Sequence, residues 1–423
     1  MRSNIENERI YEVVASKYME GDKVHVLGID VSRGKSSCAL LHDHTVVKEF
    51  QIVHNKFGLA KLRSIITSDL PVMAVFETTG IYSRVLTRFF IDEGMNYLEI
   101  NPLESSIRMA GLRRQKTDRS DAVKLALLGI DQKSLIHGRR PYSKPYERLH
   151  LMAHRYLEIT KERSRIINHL HAALDQTFPE LNDIFNPIRS VLALTFVNLF
   201  PHPDFLTGCI PGMMAKQIIS SVSPKIHSDL IVRRCKEVWQ AGQLSYPAQP
   251  ADSFLISQIR GYCGEIQRYN QAHDLLKRQL ITYAKTFPEF KLIASIPGAG
   301  EISTALLLGF TGKIARFPSY KQLNAYIGID LRRIQSGGFK EADRINRRGQ
   351  SSARYIMFEM IRSMLRNQAR IDNHIVDYYY KLKKGPHPKP DMVAMIACVN
   401  RLDRTIMNLV RTNQIYNYAK ASH

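Results

Sequence analysis

The segment Val24-His25-Val26-Leu27-Gly28-Ile29-Asp30 constrains the fold more than any other stretch. It is an apolar run too short for a globular helix, it ends on an acid, and it reads as a buried strand. Two more strand-type segments follow, 38–41 and 46–53, separated by the turn-forming His42-Asp43-His44. The pattern then alternates. A helix is predicted over 57–67, a strand over 71–77 that again ends on an acid, and a helix over 81–93. A strand at 97–100 and a helix over 118–128 complete the series. Three hairpin-like strands followed by strand–helix alternation predict an α/β domain with a mixed sheet over residues 23–143. Residues 1–22 are polar and aperiodic and read as an N-terminal arm.

Downstream the period changes. Leu149, Met152, Tyr156, Ile159, Arg163, Ile166 and Leu170 step by three and four, as do Leu255, Ile259, Tyr262, Ile266, Tyr269, His273, Leu276, Leu280 and Tyr283. Each is a heptad seam with a polar interruption. The seams predict coiled-coil helices within 144–288, paired with each other in opposite directions or with another copy of the chain. Between them, residues 178–250 hold eight prolines and read as a helical insertion without a functional signature. From 289 to 423 the chain reads as mostly α-helical. Ile296-Pro297-Gly298-Ala299-Gly300 opens an apolar helix whose first N–H groups suit a phosphate. Further helices over 322–329 and 350–366 precede a helical tail.

Charge narrows the partner. Sixty Lys and Arg against 39 acids leave +21, which fits a polyanion, usually nucleic acid, better than a surface kept basic for solubility. Five scattered cysteines without a CxxC pair disfavour a disulfide framework and a structural zinc site. The best span candidate, Val191 to Phe200, falls short of the ~20 residues that cross a bilayer. Glu6, Glu8 and Glu12 do not fit a secretory leader. A reduced, cytoplasmic chain with no membrane partner is the expectation.

Two constellations carry chemistry. Asp30 and Glu77 each end a buried-type strand, where α/β sites form. Asp118 and Asp121 lie three apart in Lys116-Thr117-Asp118-Arg119-Ser120-Asp121, on one face of a helical turn. Like charges brought together are costly unless a cation neutralises them, so the four acids are candidate ligands of a divalent ion. Singly, a helix cap at Asp118 and a dipole complement at Asp121 would explain them without metal. Jointly, after Arg113-Arg114-Gln115-Lys116, the site reading is the stronger. The second constellation is Ser336 followed by Gly337-Gly338. Seven Lys or Arg stand between 332 and 354: Arg332, Arg333, Lys340, Arg344, Arg347, Arg348 and Arg354. Glycines let backbone approach a phosphodiester, and guanidinium groups offset charge on a pentavalent phosphorane. Ser336 is therefore a candidate nucleophile, although a serine in a Gly-rich loop is more often a loop residue. The chemistry of the segment leaves both open.

These residues resemble a known family. Gly28-Ile29-Asp30-Val31-Ser32, Phe76-Glu77-Thr78-Thr79-Gly80 and the 116–121 segment are similar to the DEDD tetrad of insertion-sequence transposases of family 110. That family includes the 1111 subgroup and the Piv and MooV invertases. The 296–300 segment, Leu323-Asn324-Ala325-Tyr326-Ile327-Gly328 and Gln335-Ser336-Gly337-Gly338 look like its C-terminal transposase domain, and order and spacing match from about 24 to 370. The resemblance implies a RuvC-like ribonuclease-H fold for 23–143, with Asp30, Glu77, Asp118 and Asp121 as ligands of Mg²⁺ or Mn²⁺. It implies a serine transposase domain over 289–423 in which Ser336 joins covalently to DNA. It also implies donor and target DNA, and a structured guide RNA from the element. Nucleic-acid contacts are expected at Arg113, Arg114, Lys116, Arg332, Arg333, Lys340, Arg344, Arg347 and Arg348. A homo-oligomer, dimer to tetramer, would bring the acids of one protomer to the serine of another. Two motifs depart from the family. Gly328-Ile329-Asp330-Leu331 stands where Gly-Leu-x-Pro is usual, and Arg347-Arg348-Gly349-Gln350 where Lys-Arg-Gly-Asn is usual.

Three other readings compete. A metal-dependent RuvC-like nuclease, such as a junction resolvase, would use the four acids and need no serine. An actin- or sugar-kinase-like ATPase, whose phosphate loops the 28–32 and 78–80 segments faintly echo, needs neither Asp118 and Asp121 nor the basic excess. A catalytically silent nucleic-acid-binding protein has little reason to keep five such polar groups.

Overall fold

The structure, a computed structural model, describes residues 25–66, 72–78, 80–95, 97–100, 102, 105, 118–131, 144–186, 188–222, 226–332, 335–336, 339–340 and 344–421. The chain forms two compact units, residues 1–141 and 142–423. The expected N-terminal arm lies outside the described residues.

In the first unit, β1 (His25–Ser32), β2 (Lys35–His42) and β3 (Thr45–Val53) form an antiparallel meander. Asp43, at φ 49°, makes the turn between β2 and β3, a conformation that Asp tolerates better than most residues. β4 (Val72–Glu77) and β5 (Tyr97–Ile100) join in parallel on the other side of β1, giving the order β3-β2-β1-β4-β5. Three helices, α1 (Lys56–Ile66), α2 (Arg84–Asp92) and α3 (Asp118–Asp131), accompany the sheet. Leu27, Ile29 and Phe76 pack with Leu62, Leu86 and Phe90 of α1 and α2. On the other face Val26, Val75 and Leu98 pack with Ala122, Leu125 and Ala126 of α3. Successive residues of β1 thus serve opposite cores, which is why its apolar run does not alternate.

The second unit is built on two long helices, α4 (Lys144–Thr177) and, beyond the insertion, a partner over Phe254–Ala284. They pack along each other in opposite directions. Tyr146 meets Phe287 beyond the partner's end, Tyr156 meets His273, and Arg163 bonds Asn270. The two heptad seams therefore close within the chain, and Ile259 and Ile266 are fully buried in it. Burial of such side chains is worth ~1.5–3 kcal/mol each. The insertion supplies α5 (Glu180–Ile184), α6 (Val191–Leu199), α7 (Pro211–Ser221) and α8 (Ser228–Leu244), so that the Phe254–Ala284 helix is α9. Pro211 sits in the first turn of α7, where its missing N–H costs nothing. Leu170, Phe178, Phe196, Ile218, Val238 and Ile266 share one core at this end of the pair.

At the other end Leu149, Leu280 and Ala284 join a second core. Its helices are α10 (Pro288–Ala294), α11 (Glu301–Thr311), α12 (Tyr320–Ile327), α13 (Ser351–Arg366), α14 (His374–Lys384) and α15 (Asp391–Thr412). Among the described residues no helix is long and apolar enough to cross a membrane. The five cysteines are free, and four of them are buried.

Two positions test the packing. A Cβ on Gly28 would overlap the carbonyl oxygen of Ala122 and approach the nitrogen of Ala126 to 2.6 Å. Both are backbone atoms of α3 and cannot turn aside. Gly28→Ala should destabilise the first unit by at least ~1–3 kcal/mol in urea unfolding; an unchanged midpoint would refute the close approach. Asp403 of α15 is fully buried, and neither carboxylate oxygen has a partner among the described residues. Burial raises its pKa well above the usual carboxylate range. A raised folded-state pKa means the favourable contribution is complete below the unfolded value and is lost as pH rises toward the folded one. Asp403→Asn should therefore raise Tm at pH 7 and lose that advantage near pH 4; an equal gain at both pH values would contradict this.

Candidate active site

β1 runs two residues past Asp30, to Ser32, so Asp30 lies near the strand's end and not at it as expected, whereas Glu77 ends β4; the two acids are neighbours by register. Ile29 pairs with Phe76 across the parallel β1–β4 ladder, so Asp30 and Glu77 follow at the same level. Strand alternation puts Asp30 on the face of Val26 and Gly28, and Glu77 on the face of Met73 and Val75. That is the face α3 covers. The direction of α3 follows from its contacts. Gly129 lies against the side chains of Val26 and Val75, whereas Ala122 and Ala126 lie against Gly28. Moving toward its N-terminus, α3 climbs β1 toward Asp30. Its first turn, which holds Asp118 and Asp121, therefore reaches the carboxyl ends of β1 and β4. All four acids of the predicted tetrad lie at one edge of the sheet, where sites of α/β proteins form.

Asp30 and Glu77 are half-buried. Asp121 accepts a hydrogen bond from Lys124 Nζ at 2.8 Å, and that lysine is 17% exposed. An ammonium thus supplies positive charge among the acids. The side chain of Asp118 lies outside the described residues. Among the described residues no three Asp, Glu, His or Cys side chains close into a metal-holding group. The placement is by backbone.

Ser336 belongs to a ribbon that periodicity did not disclose. β6 (Leu331–Arg332) pairs with β9 (Arg344–Ile345), and inside them β7 (Gln335–Ser336) pairs with β8 (Phe339–Lys340). Ser336 stands opposite Phe339 at the innermost pair, with two residues between them along the chain. Those two, Gly337 and Gly338, lie outside the described residues, as do the side chains of Ser336, Arg332 and Lys340. Arg332 stands opposite Arg344 in the outer pair.

The base of the ribbon is tied by backbone. Asn346 N donates to Asp330 O at 2.8 Å, Arg347 N to Gly328 O at 3.1 Å and Gln350 N to Tyr326 O at 2.7 Å. Asn346 Nδ2 also donates to Asp330 Oδ2 at 3.1 Å. Gly349 is required here, since a Cβ would overlap the Tyr326 carbonyl oxygen and come within 2.7 Å of Gly328 N. Arg354, half-buried, donates to Ile327 O at 2.7 Å. Burial first, and then Arg347, lowers its pKa.

Sequence reasoning missed Asp330, Asn346 and Arg354 as ribbon anchors. Asp330 stands at the unspecified position of the Gly-Leu-x-Pro pattern, so the motif carries no signal for this role. Of the predicted cations, Arg344, Arg347 and Arg348 are exposed, whereas Arg113, Arg114, Lys116 and Arg333 lie outside the described residues. The turn at 296–300 changes its meaning. Gly298, at φ 87°, packs so closely on Met364 of α13 that a Cβ would come within 2.6 Å. Glu301 sets a carboxylate at the start of α11 and pairs with Lys285 at 2.5 Å. Packing accounts for the glycine, and the helix start already carries a negative group.

Comparison with known families agrees with the placement of these motifs. Residues 27–179 match the DEDD-type IS110 family described as Transposase, and residues 290–376 match the family described as Transposase IS116/IS110/IS902. No match to a curated protein reaches significance. The first match contains Asp30, Glu77, Asp118 and Asp121, and the second contains the whole ribbon around Ser336. A DEDD domain of this type points to dependence on a divalent metal. The two matches lie in the expected order and together span more than half of the chain, which belongs to the IS110 family of transposases, enzymes that recombine DNA.

Proposed function

We propose that the first unit is a RuvC-like ribonuclease-H fold whose tetrad holds Mg²⁺ or Mn²⁺, and that the chain exchanges DNA strands through a covalent bond to Ser336. The observation that carries this reading is the meeting of Asp30, Glu77 and the first turn of α3 at one sheet edge. The donors are all carboxylate oxygens, a hard set that suits Mg²⁺ or Mn²⁺. Bound by Asp30, Glu77, Asp118 and Asp121, such an ion would polarise a phosphoryl oxygen and offset the charge that develops on it.

The ribbon supports the second half. Like charges directly opposite on a two-stranded ribbon are destabilising unless an anion lies between them. Arg332 opposite Arg344 is therefore a register that fits a phosphate, and Arg333, Lys340, Arg347 and Arg348 add to it. Attack of the Ser336 oxygen on phosphorus forms one O–P bond and breaks one ester bond to deoxyribose. The serine proton is balanced by the hydroxyl released. A phosphodiester to protein replaces a phosphodiester within DNA, so a second hydroxyl can reverse the step without ATP. Water-mediated cleavage by the acids alone would leave free ends instead.

In this reading Arg113, Arg114 and Lys116 flank the tetrad as DNA contacts. A structured RNA from the element guides donor and target, which the net charge of +21 suits. A dimer or tetramer brings the acids of one protomer to the serine of another, and the enzyme works in the cytoplasm at the nucleoid.

The covalent step separates recombinase from nuclease. With nicked element DNA and Mg²⁺, the wild type should give a protein–DNA adduct on a denaturing gel. Ser336→Ala should bind the same DNA normally and give none, and EDTA should abolish the wild-type adduct. Recombination by Ser336→Ala would overturn the serine step in favour of a metal-dependent nuclease. Full activity in EDTA would overturn the metal.

A further inference from the structure

The helical hairpin α14–α15 lies almost wholly beyond both family matches, the second of which ends at residue 376. From 374 to 423 the chain holds eight Lys or Arg and three acids. Asp377, exposed on α14 on the face of Lys381 and Lys384, accepts a hydrogen bond from the Tyr418 hydroxyl at 3.0 Å. Asp403 is fully buried, and Asp391 accepts a hydrogen bond from the Tyr379 hydroxyl near the connection between the helices. The helices run in opposite directions, with Tyr378 against Arg401 and His374 against Thr405 farther from that connection. The far end is fastened where His374 Nδ1 meets the Tyr416 hydroxyl at 2.8 Å. Burial, and then Arg401, lowers the His374 pKa to about 4, so this histidine is neutral and adds nothing to the charge.

The two faces of α15 differ sharply. Val399, Leu402, Ile406 and Leu409 are buried, whereas Asn400, Arg401, Arg404 and Asn408 lie on the outer side. The Arg401 guanidinium is 4.8 Å over the ring of Tyr378, and that of Arg404 is 4.4 Å over Tyr320. On α14, Lys384 Nζ is 4.9 Å over Tyr380. Among the described residues none of Lys381, Lys384, Arg401 and Arg404 has a carboxylate within ion-pair distance. An arginine laid on a ring has already lost much of its rotamer freedom and still presents N–H groups in its plane. Cations so arranged, none of them in an ion pair among the described residues, keep their charge available to a partner.

We propose that this outer face of α14–α15, centred on Lys381, Lys384, Arg401 and Arg404, binds the phosphate backbone of a nucleic acid without reading its sequence. Stacked guanidinium groups and neighbouring lysines meet backbone phosphates, and the asparagines donate further hydrogen bonds. From Asp391 to Arg404, α15 runs for about 20 Å. A duplex carries one charge per about 1.7 Å of axis, so several phosphates fall within reach. The inference rests on the transposase reading only in taking nucleic acid as the substrate.

The test is binding by the full-length protein, with no strand exchange in the readout. Affinities for a random-sequence DNA duplex and for an RNA stem-loop of equal length are measured over a range of salt concentrations. They are compared between the wild type, the triple variant Lys381→Gln, Lys384→Gln, Arg404→Gln, and a control with equal charge loss. The control is Arg155→Gln, Lys161→Gln, Arg165→Gln on α4, where Arg155 and Arg165 already pair with Glu158 and Glu162. The hairpin variant should bind at least tenfold more weakly at moderate salt. Its slope of log affinity against log salt should be shallower by about two to three, since each phosphate that a cation neutralises adds about 0.9 to that slope. A loss confined to DNA or to RNA identifies which polymer the hairpin holds. An unchanged slope for both, or an equal loss in the control, would overturn the proposal, with an unaltered melting curve showing that the variants are folded. Because Ser336 and the tetrad are untouched, failure here leaves the catalytic reading standing.

Discussion

The first unit of this protein depends on one close approach of backbone to backbone. Gly28 lets α3 lie directly on β1, with Ala122 and Ala126 where a side chain would otherwise stand. The carboxyl ends of β1 and β4 supply Asp30 and Glu77 by register, and the seating of α3 brings the 118–121 turn up to them. A helix held a side chain farther away would withdraw two of the four acids from the edge. The glycine of the Gly-Ile-Asp motif is therefore a packing requirement with a chemical consequence at the site.

The second unit solves a different problem, which is how to anchor the base of a small ribbon. Among the described residues the ribbon has few strand pairs. Its base is fastened where the N–H groups of Asn346, Arg347 and Gln350 donate to the carbonyls of Asp330, Gly328 and Tyr326. That base is part of the core that α11, α12, α13 and α15 build at one end of the α4–α9 pair. At the opposite end of the pair the insertion helices bury their own apolar faces. One antiparallel helix pair thus carries two cores, which accounts for two long heptad seams in one chain without a requirement for a second copy. Ile259 and Ile266 of the second seam are interior positions of the chain's own fold.

The strand and helix order of the first unit was legible because both periods were clean: continuous apolar runs for β1 and β4, and 3.6-residue spacing for the helices between. The strand acids were legible for the same reason, since an acid that closes a buried apolar run, as Asp30 and Glu77 do, has few structural uses. The convergence of the acids was not. It depends on α3 packing against Gly28, a contact between segments far apart in the chain that no local pattern reports. The ribbon escaped because two-residue strands carry no period, and its glycines read equally well as a loop. Gly298 misled in the opposite direction. A Pro-Gly-x-Gly turn before a helix suggests an anion site, whereas here Met364 and Glu301 already occupy the space and the charge. The sequence of the hairpin α14–α15 shows only the period of a helical tail, since which of its charges pair depends on packing.

Metal binding tests, without any appeal to activity, whether the acids at this sheet edge form one divalent-ion site. Titration of the full-length protein with Mn²⁺, followed by electron paramagnetic resonance, counts the bound ions. The wild type should remove Mn²⁺ from solution at a site that Mg²⁺ competes for. Asp30→Asn and Asp121→Asn should each weaken that site at least tenfold while the far-ultraviolet circular dichroism stays the same. Equal Mn²⁺ binding by wild type and both variants would show that the acids, although brought to one edge, do not act as a metal site.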